Sequence, residues 1–320
     1  MSVRKLPHEP KRPDQGPPEH AEDARAAGED RGPDEPLSAA ARPRGLAPRL
    51  ARAFAAPRAG RAALIPYLTG GHPDAETSGR LVDALIAAGA DIVELGVPFS
   101  DPIADGPVVQ QSTHAALTAG VTTDDVLGLA AAHSVAVPCV LLTYLNSVLA
   151  YGAESFFARA AAAGVEALVI PDLPLDEASG SHVALARDAG GLDALAAGAG
   201  VSLVPMAAPT STDERLDLVA SSATSFVYCV AVTGVTGARA EVGVELPALL
   251  ARLRERTDAP LAVGFGISTP EQAASVASVA DGVIIGSALI DAVARASTPD
   301  EACGAAAQLV GAASAAIAGV

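Results

Sequence analysis

Lysine is absent from residues 61–320, because the two lysines of this 320-residue chain, Lys5 and Lys11, both lie near its N-terminus. Chemistry that forms a Schiff base on a lysine amine, including the attachment of pyridoxal phosphate, is therefore excluded from this region. The same region holds ten arginines against 28 carboxylates. Binding to a nucleic-acid backbone depends on clustered cations, so we expect no nucleic-acid partner.

Cysteine and long apolar runs are also scarce. The three cysteines, Cys139, Cys229 and Cys303, are widely spaced and odd in number, which indicates reduced thiols in a cytoplasmic protein. No run reaches the roughly 18 to 20 apolar residues of a membrane span, and the N-terminus lacks the apolar core of a secretion signal. The histidines after residue 61 are isolated, without metal-ligand spacing. We therefore expect neither a membrane segment nor a metal site.

Residues 1–45 are rich in proline, arginine, acidic residues and glycine and nearly free of large apolar side chains. Such a segment buries too little surface to offset the entropy of ordering, which predicts a disordered tail. A transit peptide is the alternative, but such peptides are poor in acid, whereas this tail carries nine carboxylates. The four-residue spacing of Leu46, Leu50 and Phe54 then predicts a short amphipathic helix at the start of a folded domain over 46–320.

After Arg61, short apolar runs alternate with polar turns and helical stretches. We identify eight such runs as strands: 62–68, 91–96, 138–144, 167–172, 202–206, 226–230, 261–266 and 281–286. Runs that are apolar on both faces and separated by helices indicate a parallel sheet covered on both sides. Eight units in about 250 residues predict an α/β fold of the (β/α)8 TIM-barrel type. A doubly wound open sheet is the alternative, but no G-x-G-x-x-G follows the first strand.

One stretch in this alternation is unusually rich in glycine. The sequence GGLDALAAGAG at 190–200 indicates an extended, mobile loop before the fifth strand.

Active sites of such barrels lie at the C-terminal ends of the strands, which directs attention to carboxylates there. The candidates are Glu94, Asp101, Asp105, Asp172, Asp176 and Glu177. If the side chain of Glu94 points into the barrel, desolvation raises its pKa toward the range useful for proton transfer. The alternatives are a Glu94 that turns outward or pairs with arginine, and an Asp105 that only caps its Asp-Gly-Pro turn.

Glycines collect at the ends of the last three predicted strands, in GVTG (234–237), GFGIS (264–268) and GSA (286–288). Glycine lets backbone N–H groups approach an anion, and a helix start such as the one after Ser268 adds a favourable dipole. Phosphate sites after strands 7 and 8 recur in barrels, so we expect a phosphate held by backbone donors and Ser287. The alternative is that these glycines serve only turns.

Five segments in this order resemble the α-subunit family of tryptophan synthase. They are ALIPYLTGGHPD, VELGVPFSDPIADGPVVQ, GVEALVIPDLP, FVYCVAVTGVTGAR and GFGISTPEQ with ADGVIIGSA, and the resemblance covers about 46–320. It implies a lyase that cleaves indole-3-glycerol phosphate to indole and glyceraldehyde 3-phosphate without metal or cofactor. Departures from the family pattern are the first 45 residues, the long 190–200 connection, and Val232 and Thr233 in AVTGVTG.

The resemblance also implies roles for single residues. Glu94 matches the catalytic glutamate, Asp105 the aspartate that holds the indole N–H, and Tyr228 a supporting tyrosine close to the substrate. The residues that match the family's phosphate cradle are Gly237, Gly266, Gly286 and Ser287. Phe265 and Leu142 match positions in the indole pocket, and Thr236 matches a mobile loop that closes on the aspartate.

The resemblance implies a partner as well: a pyridoxal-phosphate β subunit, in an α2β2 tetramer, that receives the indole and covers the face near DPIADGPVVQ and LPLDE (173–177). Three alternatives remain at this point. Another phosphate-sugar barrel, such as an epimerase or isomerase, would keep the glycines but lack the pair formed by Glu94 and Asp105. The other two are a non-catalytic subunit that only activates a partner and a lyase that acts alone.

Overall fold

The computed structural model of the chain describes residues 48–55, 61–175, 191–231, 245–264 and 266–320. The predicted tail over 1–45 lies outside these ranges and stays a prediction, as does the domain boundary that follows it. Within the described ranges, no helix is both long enough and apolar enough to cross a membrane.

Strands and helices alternate along the described chain. Strands β1 to β9 span Ala63–Thr69, Val93–Gly96, Cys139–Leu142, Val165–Val169, Ser202–Val204, Met206–Ala207, Val227–Val230, Leu261–Gly264 and Gly282–Ile285. Helices α1 to α12 span Pro48–Ala55, Ala75–Ala87, Pro107–Thr118, Thr123–His133, Leu145–Tyr151, Ala153–Ala162, Leu192–Ala199, Asp213–Ser222, Leu246–Arg254, Pro270–Ala277, Ser287–Ala294 and Pro299–Ile317. Each of the eight predicted strand runs overlaps a strand.

The strands form one parallel sheet in the order β5-β4-β3-β2-β1-β9-β8-β7-β6. Its two end strands, β5 and β6, are separated along the chain only by Pro205, so the sheet nearly closes on itself. Proline has no N–H for a strand ladder, which explains why the predicted run at 202–206 is divided into two short strands. The carbonyl of Pro205 still accepts the N–H of Tyr228 at 2.9 Å. The predicted TIM barrel is confirmed.

Alternate residues of each strand pack on opposite sides of the barrel wall. Along β1, Ile65 and Tyr67 join the cluster that fills the barrel interior, whereas Leu64 and Leu68 join the cluster between the sheet and the helices. Both clusters are apolar because a parallel sheet with helices around it has no face in water.

Helix α1 closes the barrel at the N-terminal ends of its strands. Leu50 is fully buried in the interior cluster, and the ring of Phe54 packs 5.3 Å from that of Phe226, which directly precedes β7. The carboxylate of Glu166 on β4 accepts the N–H of Leu50 at 3.1 Å. The short amphipathic helix predicted from the spacing of Leu46, Leu50 and Phe54 is confirmed in its described part, Pro48–Ala55.

The stretch at 190–200 differs from the prediction of a mobile loop. Its described part forms α7, which ends at Gly200 in the left-handed conformation with φ 80°. Leu192 and Ala196 are buried, four residues apart, and pack on the core. Leucine and alanine favour the helix strongly enough to outweigh the cost of Gly198 inside it, while Gly200 ends the helix.

Candidate active site

A cavity of about 570 Å³, measured with its opening to solvent, lies at the C-terminal ends of the strands. Its wall is mostly apolar and contains one carboxyl group, two tyrosines and three positions with glycine. The lining residues are Tyr67, Asp105, Gly106, Val108, Val109, Leu142, Tyr228, Gly266, Ile267, Ile284, Gly286 and Ser287. A ring-shaped apolar ligand with a few polar atoms fits such a wall.

Glu94 lies on β2 and points into the barrel, where its residue is only 1% exposed. Neither of its carboxyl oxygens has a hydrogen-bond partner in the structure. Burial, with a smaller effect of the negative charge of Asp105, raises the pKa of Glu94 to about 8. At neutral pH this side chain is therefore mostly a carboxylic acid with a proton to give.

Asp105 lies at the end of the loop that follows β2, just before Gly106, the N-cap of α3, and lines the cavity. Burial raises its pKa to about 6, while a hydrogen bond from Tyr144 acts in the opposite direction. At neutral pH Asp105 is therefore mostly ionised. Glu94 and Asp105 thus come together at one site in different protonation states, a pattern typical of acid–base catalysis.

Tyr144, which the sequence analysis did not single out, holds the loop that carries Asp105. Its hydroxyl accepts the N–H of Ala104 at 3.0 Å, and its ring stacks on Phe99 at 5.0 Å between centroids. Tyr144 is only 1% exposed. A tyrosine directly after an apolar strand run was the available signal, because a buried tyrosine hydroxyl needs a partner.

Tyr67 and Tyr228 occupy matching positions on two sides of the cavity. A Cβ atom added to Gly96, on the strand next to Tyr67, would lie 2.1 Å from the Tyr67 hydroxyl. A Cβ atom added to Gly264, on the strand next to Tyr228, would lie 2.4 Å from that hydroxyl. Each tyrosine therefore reaches across a neighbouring strand at a residue without a side chain. The sequence analysis proposed Tyr228 but missed Tyr67.

The described residues of the predicted glycine cradle lie together at the cavity. Gly266, Gly286 and Ser287 all line the cavity. Gly266 has a φ of 84°, a conformation that favours glycine, and Gly286 is the N-cap of α11. The first turn of α11 has N–H groups without intrahelical partners at the positive end of the helix dipole, which suits an anion.

The start of α10, which the sequence also indicated as an anion site, is less suitable. The side chain of Gln272 accepts the N–H groups of Ser268 and Thr269 at 2.8 and 3.2 Å. Together with Thr269, Gln272 forms a capping box that uses these donors within the protein. Of these two helix starts, that of α11 is therefore better suited to bind a phosphate.

The other candidates divide into two groups. Asp101 is exposed and accepts a hydrogen bond from Ser100, while Asp172 accepts the N–H of Leu145 at 2.8 Å at the start of α5. Neither lines the cavity, so both carboxylates are better explained as local structure. The remaining predicted residues lie outside the described ranges: Asp176, Glu177, Thr236, Gly237 and Phe265.

Among the described residues, no group of three or more histidine, cysteine, aspartate or glutamate side chains is placed to hold a metal ion. What the site does offer is a buried acid in Glu94 in the barrel interior, an ionised carboxylate in Asp105 on the cavity wall, and helix N–H donors next to Ser287. This set can protonate one atom, hold a developing positive charge and bind a phosphate within the same ligand.

Comparison with known proteins gives consistent similarities. The family model described as "Tryptophan synthase alpha chain" matches residues 54–317. Among relatives with that name, the protein of Synechocystis sp. is 47% identical over 245 residues, which cover 76% of this chain and 88% of the relative. The protein of Carboxydothermus hydrogenoformans is 43% identical over 248 residues, covering 77% of this chain and 89% of the relative.

Solved structures agree with these relatives. A structure of Mycobacterium tuberculosis tryptophan synthase is 39% identical, with a TM-score of 0.72, and the match covers 84% of this chain and 98% of that one. A tryptophan synthase alpha chain from Legionella pneumophila is 32% identical, with a TM-score of 0.73, covering 85% and 98%. The fold, the cavity and these similarities all concern the same part of the chain.

Proposed function

The chain belongs to the tryptophan synthase alpha chain family, and on this premise we propose that Glu94 and Asp105 carry out the chemistry of the family's reaction. That reaction is a lyase step of tryptophan biosynthesis, the retro-aldol cleavage of indole-3-glycerol phosphate to indole and glyceraldehyde 3-phosphate. The observation that carries the proposal is the buried, unpartnered carboxyl group of Glu94 beside the ionised Asp105.

In the proposed mechanism Glu94 acts first as an acid. Its proton is transferred to C3 of the indole ring, which makes the ring an electron sink for the carbon–carbon bond that must break. When that bond breaks, its electron pair returns to the ring, and the glycerol hydroxyl on the departing carbon becomes a carbonyl group. The hydroxyl proton passes to the Glu94 carboxylate, which restores the acid. The pKa of about 8 suits a group that both gives and takes a proton near neutrality.

Asp105 is proposed to accept a hydrogen bond from the indole N–H. Protonation at C3 places positive charge on the ring nitrogen, and a carboxylate already fixed beside it stabilises that charge without reorganisation. Tyr144 supports this role because it holds the loop through Ala104. Asp105 is ionised at neutral pH, as this role requires.

The rest of the cavity is proposed to bind the two ends of the substrate. Leu142, Tyr228 and Ile284 give the apolar wall for the indole ring, and the start of α11 at Gly286 and Ser287 binds the phosphate. From the family resemblance we propose that Gly237 and Gly266 complete the phosphate cradle, that Phe265 faces the indole, and that Thr236 meets Asp105 when its loop closes.

We also propose a tryptophan synthase β chain as partner, in an α2β2 tetramer, with any pyridoxal phosphate in that partner and no cofactor in this chain. Ile103, in the loop next to Asp105, is 81% exposed. The family resemblance places the β subunit over the face near this loop. The proposed location is the cytoplasm, which agrees with the free, buried thiols of Cys139 and Cys229.

Indole release from indole-3-glycerol phosphate, measured with and without an added β subunit, tests this function. We expect slow release by the chain alone and faster release with the partner. Glu94→Gln keeps the size and polarity of the side chain but removes the transferable proton, so kcat should fall by about a hundredfold or more. The matched control is Glu154→Gln, which neutralises an exposed carboxylate on α6, outside the loop that the partner is proposed to cover. A Glu94→Gln variant as active as the wild type would contradict the assignment.

A further inference from the structure

Tyr67 lies beside Glu94 on the interior face of the barrel wall. It is the register partner of Glu94 across β1 and β2, and its hydroxyl lies against Gly96, two residues further along the same face of β2. Tyr67 lines the cavity, whereas Glu94 is not among the lining residues and is only 1% exposed. The phenol ring is therefore part of the surroundings that desolvate the carboxyl group of Glu94.

The hydroxyl of Tyr67 is the first member of a buried chain of hydroxyl groups. It hydrogen-bonds with the side chain of Thr69. The hydroxyl oxygens of Thr69 and Ser112 are 2.6 Å apart, and Ser112 in turn lies 2.8 Å from the carbonyl oxygen of Val109 on α3. Thr69 is 1% exposed and Ser112 is 3% exposed, so water does not compete with these bonds.

Each hydroxyl group has one proton to donate, so the chain has two directions. In one direction Ser112 donates to Val109, Thr69 donates to Ser112, and Tyr67 donates to Thr69. In the other direction Ser112 donates to Thr69, Thr69 donates to Tyr67, and the proton of Tyr67 is free for a new acceptor. The carbonyl of Val109 lies inside α3, where it also accepts a backbone N–H, so it tolerates either direction.

Two carboxyl groups, those of Asp105 and Glu94, are near enough to Tyr67 for their charges to act on its hydroxyl, and Glu94 is its register partner. The two oxygens of Glu94 have no hydrogen-bond partner, although a buried carboxylate needs donors. The ionisable groups that face Tyr67 are Glu94 on β2, Asp105 in the following loop, Tyr144 after β3 and Tyr228 on β7. Burial and the nearby negative charges raise the pKa of Tyr67, so its hydroxyl keeps its proton while either carboxyl group titrates.

We propose that Tyr67 is a positioning residue for Glu94. The Tyr67 hydroxyl donates to the Glu94 carboxylate that forms when the acid gives up its proton, and it donates to Thr69 when the acid is restored. The change of direction rotates three O–H bonds and transfers no proton between oxygens. It lets one buried side chain serve as acid and then as base without an unpaired charge in either state. This inference rests on the proposed role of Glu94.

Tyr67→Phe tests the inference because it removes the hydroxyl and keeps the ring. Without this donor the developing carboxylate is less stable, so we expect kcat to fall about tenfold with KM within about twofold. The alkaline limb of the pH profile should move up by about one unit, since Glu94 holds its proton more tightly. Tyr151→Phe is the matched control, since its hydroxyl donates to Asp124 and neither of these residues lines the cavity.

Changes further along the chain give a second test. Neither Ser112 nor Thr69 lines the cavity, so changes there act on Glu94 only through the Tyr67 hydroxyl. Ser112→Ala and Thr69→Val should therefore shift the alkaline limb upward by less than Tyr67→Phe does. Thr69→Ser, which keeps the hydroxyl, should have the wild-type pH profile. The inference is overturned if Tyr67→Phe loses activity without a shift of the alkaline limb, or shows no loss at all. A wild-type chain that releases no indole, or an active Glu94→Gln, would instead contradict the proposed function itself.

Discussion

Two carboxyl groups at one cavity differ in acidity because their surroundings differ. Glu94 is enclosed by the barrel interior and has no hydrogen-bond donor, which raises its pKa to about 8. Asp105 lies at the cavity wall with a hydrogen bond from Tyr144, and its pKa rises only to about 6. Between these values one group is protonated and the other ionised, and the proposed reaction needs this combination.

The pH dependence of kcat/KM follows from these two values. The proposed mechanism requires an ionised Asp105 and a protonated Glu94, so we expect the rate to fall below about pH 6 and above about pH 8. Asp105→Asn should lose most of the activity and also the acid limb. The measurement is indole release over pH 5 to 9 at limiting substrate. A profile with no alkaline fall would show that Glu94 does not act as the acid.

At the scale of elements, the two ends of the barrel have different tasks. Helix α1 fills the N-terminal end with Leu50 and Phe54, and the loop between β2 and α3 forms part of the cavity at the other end. Stability and chemistry are thereby carried by different elements. A change at one end should then affect the other only weakly.

Leu50→Ala is expected to reduce the free energy of unfolding by about 3 kcal/mol, because it leaves a space in a site that is fully buried. Indole release by the folded variant should stay close to wild type. Leu218→Ala, the same truncation at a residue 36% exposed on α8, should cost less than about 1 kcal/mol. Urea denaturation at neutral pH measures both. Equal losses in the two variants would show that α1 is not part of the folded core.

At the scale of the whole molecule, the buried carboxyl group of Glu94 lowers the free energy of unfolding near neutral pH. A carboxyl group whose pKa is higher in the folded than in the unfolded chain binds its proton more tightly when folded. Between about pH 4.5, the ordinary pKa of glutamate, and about pH 8, the folded chain holds a proton that the unfolded chain has released. Stability contributed by this group is therefore lost as pH rises through that window.

Glu94→Gln should for this reason be more stable than the wild type at pH 8, by about 3 kcal/mol, and the difference should shrink toward pH 5. Denaturation curves at several pH values measure the difference. Glu154→Gln, which removes an exposed carboxyl group on α6, controls for the change in net charge. A gain in stability that does not vary with pH would contradict a buried, protonated Glu94.

Several features of the site were beyond prediction from residues alone. The runs ALIPYL and CVLLTY show Tyr67 and Tyr144 at strand ends, but many such tyrosines only fill a core. Their roles depend on neighbours distant along the chain: Gly96 beneath one hydroxyl and Ala104 bound to the other. Likewise, the helix start after Ser268 had the composition of an anion site, and only the contact with Gln272 shows that its donors are in use.

The sequence by itself determined the barrel, the absence of lysine chemistry after residue 61, and the pair formed by Glu94 and Asp105, because periodicity, composition and a specific motif are local properties of the chain. The tertiary structure decided which of these two carboxyl groups keeps its proton near neutrality, which described helix start faces the cavity, and which tyrosine is the strand partner of Glu94. Desolvation and hydrogen bonding depend on what surrounds a group in space, and parallel strands bring those surroundings together from distant parts of the chain.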